Sequence, residues 1–235
     1  MSEVLSVKKG TSKKEYVYTQ LKLSIISHRL SAGQPITEEE IVKQYSISRT
    51  PVREIFRKLE HDGLVKNIPY RGTYVSDLKR DDIEEILDIR YALESFAAKS
   101  AAKKITEDDI KKFTNIEAQL LLAAKKNDSV LSFDADTKLH ELILDIAGND
   151  RIHKIITSLL GQIHRIRFIS GHMEGRIETT VNEHLEIIKA IINREPELAE
   201  RKMKIHISNT RKLLLQRSNM EEQFKTLSNI PTIQN

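Results

Sequence analysis

The sequence predicts a mainly α fold: a small head of helices and a β hairpin in the first third, followed by an antiparallel all-helical bundle. Three observations predict it. Gly and Pro are scarce, 8 and 5 in 235 residues, while charged residues make up 31%, which favours helices over a turn-rich β fold. Apolar residues recur at three- and four-residue spacing over residues 13–30 and again over most of 82–217. Between these stretches, two short runs, "LVKNI" and "TYVS", flank "PYRG" and read as a hairpin.

The elements follow in order. Residues 13–30 carry apolar positions at 17, 21 and 25, one face of a helix, until Gly33 and Pro35 break the pattern. Thr37 with Glu40 three residues on makes a capping box that opens a second, short helix. "YSIS" at 45–48 ends it, Ser48 is placed to cap a third helix, and Pro51 fits that helix's first turn, where a missing N–H costs nothing. Gly63 closes the third helix as the residue past its C-cap. The hairpin comes next, with its tip at Tyr70, Arg71 and Gly72. In the bundle, helices are expected over 82–104, 107–126, 129–147, 150–170, 176–194 and 196–217, with a second capping box at Thr106 and Asp109. Residues 1–10 are expected to be disordered, 11–76 to form the head, 80–217 the bundle and 218–235 a polar, fraying tail.

Composition narrows the class. Hydrophobic residues make up 39%, enough for real cores, and there is no Cys, which excludes disulfides and thiolate metal sites. No apolar run approaches the roughly 20 residues that cross a bilayer, and the N-terminus has no signal-peptide core. A cytoplasmic protein with no membrane partner is expected. Residues 1–76 hold 13 Lys/Arg against 8 Asp/Glu, whereas the remainder holds 25 against 26, so the whole positive excess lies in the head. That suits a polyanion-binding head on a neutral body, although an excess of five is also compatible with an ordinary solvated surface.

Helix, short helix, tight turn, helix and hairpin is the plan of a winged helix-turn-helix, whose third helix enters the major groove of double-stranded DNA. Arg49 and Arg53, four apart, share one face at the N-terminal end of that helix. Arginine can bind guanine O6 and N7 bidentately, Ser48 and Thr50 can donate hydroxyls to phosphate, and Arg71 at the hairpin tip can reach a neighbouring groove. An isolated Arg-x-x-x-Arg on a helix is usually mere solvation; the order of the surrounding elements reverses that reading. A single head offers few base contacts, so a homodimer on a pseudo-palindromic operator is expected.

The stretch "SRTPVREIFRKLEHDGLVKNIPYRGTYVS" resembles the DNA-binding domain of GntR-family bacterial transcription regulators, over residues 11–76. The resemblance implies DNA contacts from Ser48, Arg49, Thr50, Arg53 and Gly72. It departs within "TEEE", where many relatives carry Arg and this chain has Glu39.

In the bundle, polar residues fall on apolar stripes. The 129–147 stripe runs Phe133, Asp136, His140, Ile143, Ala147; that of 176–194 runs Val181, His184, Ile188, Ile191; the last helix runs Ala199, Met203, His206, Thr210, Leu213; and 82–104 runs Ile83, Leu87, Arg90, Leu93, Ala97. One inward His is usually a satisfied core histidine; three with an aspartate point to more, because Asp136 and His140 at i and i+4 can grip one ion. Imidazole and carboxylate suit Zn, Ni, Mn, Fe or Co. Glu183, adjacent to His184, is expected to point off its face. An inward Arg90 needs an anion, and its partner is either a bound carboxylate or Glu94, four residues on.

"FDADTKLHELILDIAGNDRI" and "NEHLEIIKAIINREPELAERKMKIHI" are similar to the FCD effector domain of FadR-like GntR regulators. The resemblance implies a divalent metal, with Zn, Ni and Mn foremost, held by Asp136, His140, His184 and His206. It also implies a small organic acid beside the ion, with Arg90 facing the effector pocket, and acid-driven release from DNA. The expected protein is therefore a regulator, a repressor under acid control, and not an enzyme. A metal-responsive regulator and a metalloenzyme are the alternatives, the second weakened because no general base is placed by motif and because an enzyme leaves the winged head unexplained.

Overall fold

The computed structural model describes residues 12–173 and 175–216. The segments expected to be disordered or fraying, 1–10 and 218–235, lie outside the described residues.

The head begins with α1 (Lys13–Ile26), opened by a reciprocal box between Ser12 and Glu15. It stops at Ile26, short of the expected residue 30, because His28 turns the chain with a φ of 57°. A two-residue strand, β1 (Pro35–Ile36), follows; a run that short carries no periodicity and was not anticipated. Next come α2 (Glu38–Tyr45), α3 (Arg49–His61), β2 (Val65–Ile68) and β3 (Gly72–Val75). The sheet is antiparallel in the order β1-β3-β2, with Val65 opposite Val75 and Ile68 opposite Gly72. Pro35 pairs with Tyr74 on an edge strand, where its missing N–H is tolerated.

Thr37 and Glu40 make the expected box at α2, and Ser46 in the left-handed conformation turns the chain into α3. Ser48 occupies the N-cap position of α3, but its side chain makes no capping bond, contrary to expectation. Val52, Ile55, Phe56 and Leu59 bury the inner face of α3 against Val17, Leu21 and Ile25 of α1 and Ile41 of α2. The opposite face, with Arg49 and Arg53, is left to solvent.

The bundle comprises α4 (Arg80–Lys104), α5 (Glu107–Lys126), α6 (Ser129–Ala147), α7 (Asp150–Ser158), α8 (Leu160–Gly171), α9 (Arg176–Ile192) and α10 (Pro196–Gln216). The single helix expected over 150–170 is therefore two, broken at Leu159 (φ −103°, ψ 2°). The break lets α8 lie against the head. A Cβ on Gly161 would sit 2.2 Å from the Asp62 carbonyl oxygen and 2.6 Å from Leu64 Cγ, so only glycine permits this approach. Arg165, 1% exposed, donates from Nη1 to the Ser76 carbonyl at 2.8 Å, tying α8 to the segment that joins head and bundle. Phe133 of α6 and Phe168 of α8 pack edge to face and belong to the head's hydrophobic cluster.

Two histidines at this junction are buried as neutral bases. Burial, helped by Arg165, depresses His28 to about 4, and burial, helped by Lys22 and Arg167, holds His164 well below its usual range. Between the ordinary histidine value of 6.5 and about 4, the unfolded chain takes up these protons and the folded chain does not. Stability should therefore be intact above 6.5 and fall as the pH drops through that window. A His28→Gln variant should show a flatter profile of melting temperature against pH between 4 and 6.5; an unchanged slope would remove His28 as a cause.

Candidate functional site

On the head, Ser48, Arg49, Thr50 and Arg53 are all exposed at the N-terminal end of α3. Arg71 and Gly72 are exposed at the wing tip, where Tyr70 stands fully in solvent. The tip needs backbone freedom: Tyr70 and Gly72 both have positive φ, 62° and 99°, and the value at Gly72 suits only glycine well. All six residues thus lie on the surface of the head, which buries none of them.

In the bundle, α6, α9 and α10 bring Asp136, His140, His184 and His206 together. One ligand atom from each lies within 4.8 Å of the other three, and all four residues are buried. His184 Nε2 is 3.2 Å from Asp136 Oδ1. The outer nitrogens meet carboxylates: His140 Nδ1 is 2.5 Å from Glu94 Oε2, and His206 Nδ1 is 2.7 Å from Glu183 Oε2. An ionised carboxylate only accepts, so the hydrogen bond to Glu183 puts the His206 proton on Nδ1 and leaves its Nε2 lone pair free, and the close approach of Glu94 favours the same tautomer at His140.

The electrostatics set the same protonation state. Burial and Arg167 depress His140 to about 3, and burial depresses His206 to about 4, so both are neutral near pH 7. Burial pushes Asp136 up, but Arg167 and the two neighbouring histidines more than offset it and keep the carboxyl ionised. Burial likewise opposes Glu183, yet His206 and Arg176 hold it at about 2. Neutral imidazoles and one carboxylate are the ligating forms of these side chains.

The donor set also fits a divalent cation by what it leaves unsatisfied. Both nitrogens of His140 and both of His184 are buried without a well-formed hydrogen bond, despite the short approaches of Glu94 and Asp136. Such groups are costly to bury unmet, and a cation among them would supply the missing interaction.

Beside this cluster lies a small, narrow cavity, lined among others by Arg90, Arg167, Arg176, Asp136 and His206. Arg90 lines it but is held by Glu94: Nε donates to Oε1 at 2.7 Å and Nη2 to Oε2 at 3.3 Å. Arg167 lies 3.2 Å from Asp136 Oδ2, and its Nη1 is buried without a partner. Arg176 grips Glu183 with two bonds of 2.9 and 3.0 Å and donates to Thr210 at 3.2 Å.

Sequence reasoning missed two of these residues, Arg167 and Arg176, and misjudged the direction of a third, Glu183. Glu183 does not point away from the site: it faces His206, Arg176 and Asn209, because α10 crosses on that side of α9. Glu94, one of the two partners expected for Arg90, is the one the structure brings to it. Arg167 and Arg176 carried no signal, because the phase of α8 is set by the break at Leu159 and Arg176 opens α9 at an αL glycine, Gly175.

Comparisons with known proteins agree with both halves. The family model "Bacterial regulatory proteins, gntR family" matches residues 13–75, and the FCD domain model matches residues 85–209. The chain is 29% identical over 193 residues to the HTH-type transcriptional repressor RspR of Escherichia coli, covering 82% of this chain and 85% of that protein. It is also 29% identical over 186 residues to a protein of Paenarthrobacter nicotinovorans named "Probable D-xylose utilization operon transcriptional repressor", covering 79% and 81%. In fold it matches E. coli McbR/YncC with a TM-score of 0.75 at 18% identity, covering 88% of this chain and 98% of that one. Among the described residues no helix is long and apolar enough to cross a membrane. The chain belongs to the GntR family: it is a DNA-binding transcriptional regulator, not an enzyme, with an N-terminal GntR helix-turn-helix domain and a C-terminal FCD domain.

Proposed function

We propose that this regulator is a repressor whose operator affinity is set by a small organic acid bound beside a divalent ion in the bundle. Asp136, His140, His184 and His206 hold the ion, of which Zn, Ni and Mn are the best-matched candidates; the ion supplies open positions for a carboxylate oxygen. The three arginines around the cavity supply charge-assisted donors for the rest of the acid. The protein binds a pseudo-palindromic operator as a homodimer in the cytoplasm, with Ser48, Arg49, Thr50 and Arg53 in the major groove and Arg71 and Gly72 at the wing. The hydroxyls of Ser132, Ser170, Thr180 and Thr210 that line the same cavity match the chemistry of a sugar acid or hydroxy acid, whose entry requires the cavity to widen. One relative named for D-xylose utilization is consistent with that chemistry.

The observation that carries this reading is Phe133. It lines the cavity one turn before Asp136 and also belongs to the head's hydrophobic cluster. A ligand that moves this wall changes what the head packs on.

The test selects an operator from a random duplex library, then follows its binding by anisotropy in chelated protein, in protein with one metal, and with metal plus a panel of hydroxy and sugar acids. Binding should weaken at least about tenfold with an acid, and only when metal is present, a coupling of ordinary allosteric size. Release by metal alone would make the ion the signal. No response to either would reduce the ion to a structural role.

A further inference from the structure

Glu38 is the first residue of α2, and the two acids that follow it are accounted for differently. Glu40 accepts from the Thr37 backbone N–H at 3.0 Å and is absorbed by the capping box, while Glu39 faces solvent. Glu38 instead reaches across the turn to α3. Arg53 Nε donates to Glu38 Oε1 at 2.9 Å and to Oε2 at 3.0 Å. Both carboxylate oxygens are thus spent on Nε, and these are the only hydrogen bonds of the Arg53 side chain among the described residues. The terminal amino groups, Nη1 and Nη2, remain available on a side chain that is 62% exposed.

We propose that Glu38 is a positioning residue for base recognition, holding Arg53 so that its paired Nη groups are presented end-on to a guanine. An unrestrained arginine loses much rotamer freedom when it docks, and an exposed ion pair adds little to stability. What the pair does supply is orientation. A guanidinium held through Nε leaves the two terminal nitrogens to match guanine O6 and N7, the bidentate arrangement that separates guanine from the other bases. The carboxylate also raises the local negative charge close to the phosphates, so Glu38 lowers affinity for DNA at large while sharpening choice among sequences. The inference rests on the assignment of α3 to the major groove.

The test is selection from a randomised duplex library with the full chain as wild type, Glu38→Gln, Glu38→Ala and Arg53→Ala, followed by affinity measurements on the selected duplex and on single-base substitutions. Glu38→Gln is nearly isosteric and keeps α2 intact, and matched melting temperatures check folding. Discrimination at one base pair per half-site should fall about 5- to 100-fold in both Glu38 variants and in Arg53→Ala, with other positions unmoved. Affinity for non-specific DNA should be unchanged or higher in the Glu38 variants. Adding Glu38→Ala to Arg53→Ala should cost no further selectivity, since one residue acts through the other. Unchanged discrimination at every position in folded Glu38→Gln would overturn the proposal and leave the groove assignment standing. Tighter, equally selective operator binding would also overturn it, because the pair would then be a lock that DNA must break. If wild type selects no preferred sequence, or Arg53→Ala keeps full selectivity, the groove assignment fails and the proposal with it.

Discussion

Replacing His140 and His206 together by alanine should remove the bound ion and make the protein's melting temperature insensitive to chelator. Binding that favours the folded state stabilises it by RT ln(1 + [M]/Kd), about 4 kcal/mol at a metal concentration about 1,000 times Kd. For a chain of this size that corresponds to a fall of roughly 8–16 °C. The wild type treated with chelator should fall by a similar amount. The two histidines are also the ones whose outer nitrogens rest on Glu94 and Glu183, so their loss removes two oriented ligands and not merely two rings. Metal analysis of the purified double variant decides the matter: an ion-to-protein ratio equal to that of wild type would mean that the ion is held elsewhere.

Arg90→Ala should destabilise the protein by about 3 kcal/mol, the low end of what breaking a buried ion pair costs. From the sequence, this variant is expected to leave metal content and operator affinity nearly intact while abolishing the response to acid. The pair with Glu94 changes that expectation. Arg90 and Glu94 are each 1% exposed, and Arg90 commits two nitrogens to the carboxylate. Burial alone would push Glu94 up, yet Arg90, His140 and Arg167 together hold it well below its usual range. Removing Arg90 leaves Glu94 with His140 at 2.5 Å and Arg167 at 3.7 Å, which limits the loss without cancelling it. Because Glu94 orients His140, metal affinity should fall as well, in the 10- to 100-fold range expected for such supporting contacts. Equilibrium unfolding in urea and a metal titration check the two parts separately. A variant as stable as wild type that has lost only its acid response would restore Arg90 to a purely effector-facing role.

The two predictions mark where local reading ends. The helices of both halves were legible because their signals are local. Thr37 with Glu40 and Thr106 with Asp109 form the capping boxes expected of them, and Gly63 closes α3 at a φ of 69°. The inward stripes were legible for the same reason: 3.6 residues per turn fixes which side chains share a face. Phe133, Asp136, His140, His184 and His206 are accordingly all buried, and the four candidate ligands do converge. What a stripe cannot say is what stands opposite it. The break at Leu159, the added strand at Pro35–Ile36, the arrival of Arg167 at Asp136 and the turn of Glu183 toward His206 all depend on how separate elements cross. The choice between Glu94 and a bound acid as the partner of Arg90 was open in the sequence, because both satisfy a buried guanidinium. Packing brought Glu94 to 2.7 Å from Arg90 and His140 to the far side of the same carboxylate. Residue types and helical phase thus determined which side chains face the core and that they carry ligating chemistry. The tertiary structure decided their partners, because hydrogen bonds between helices depend on crossing geometry that no local period encodes.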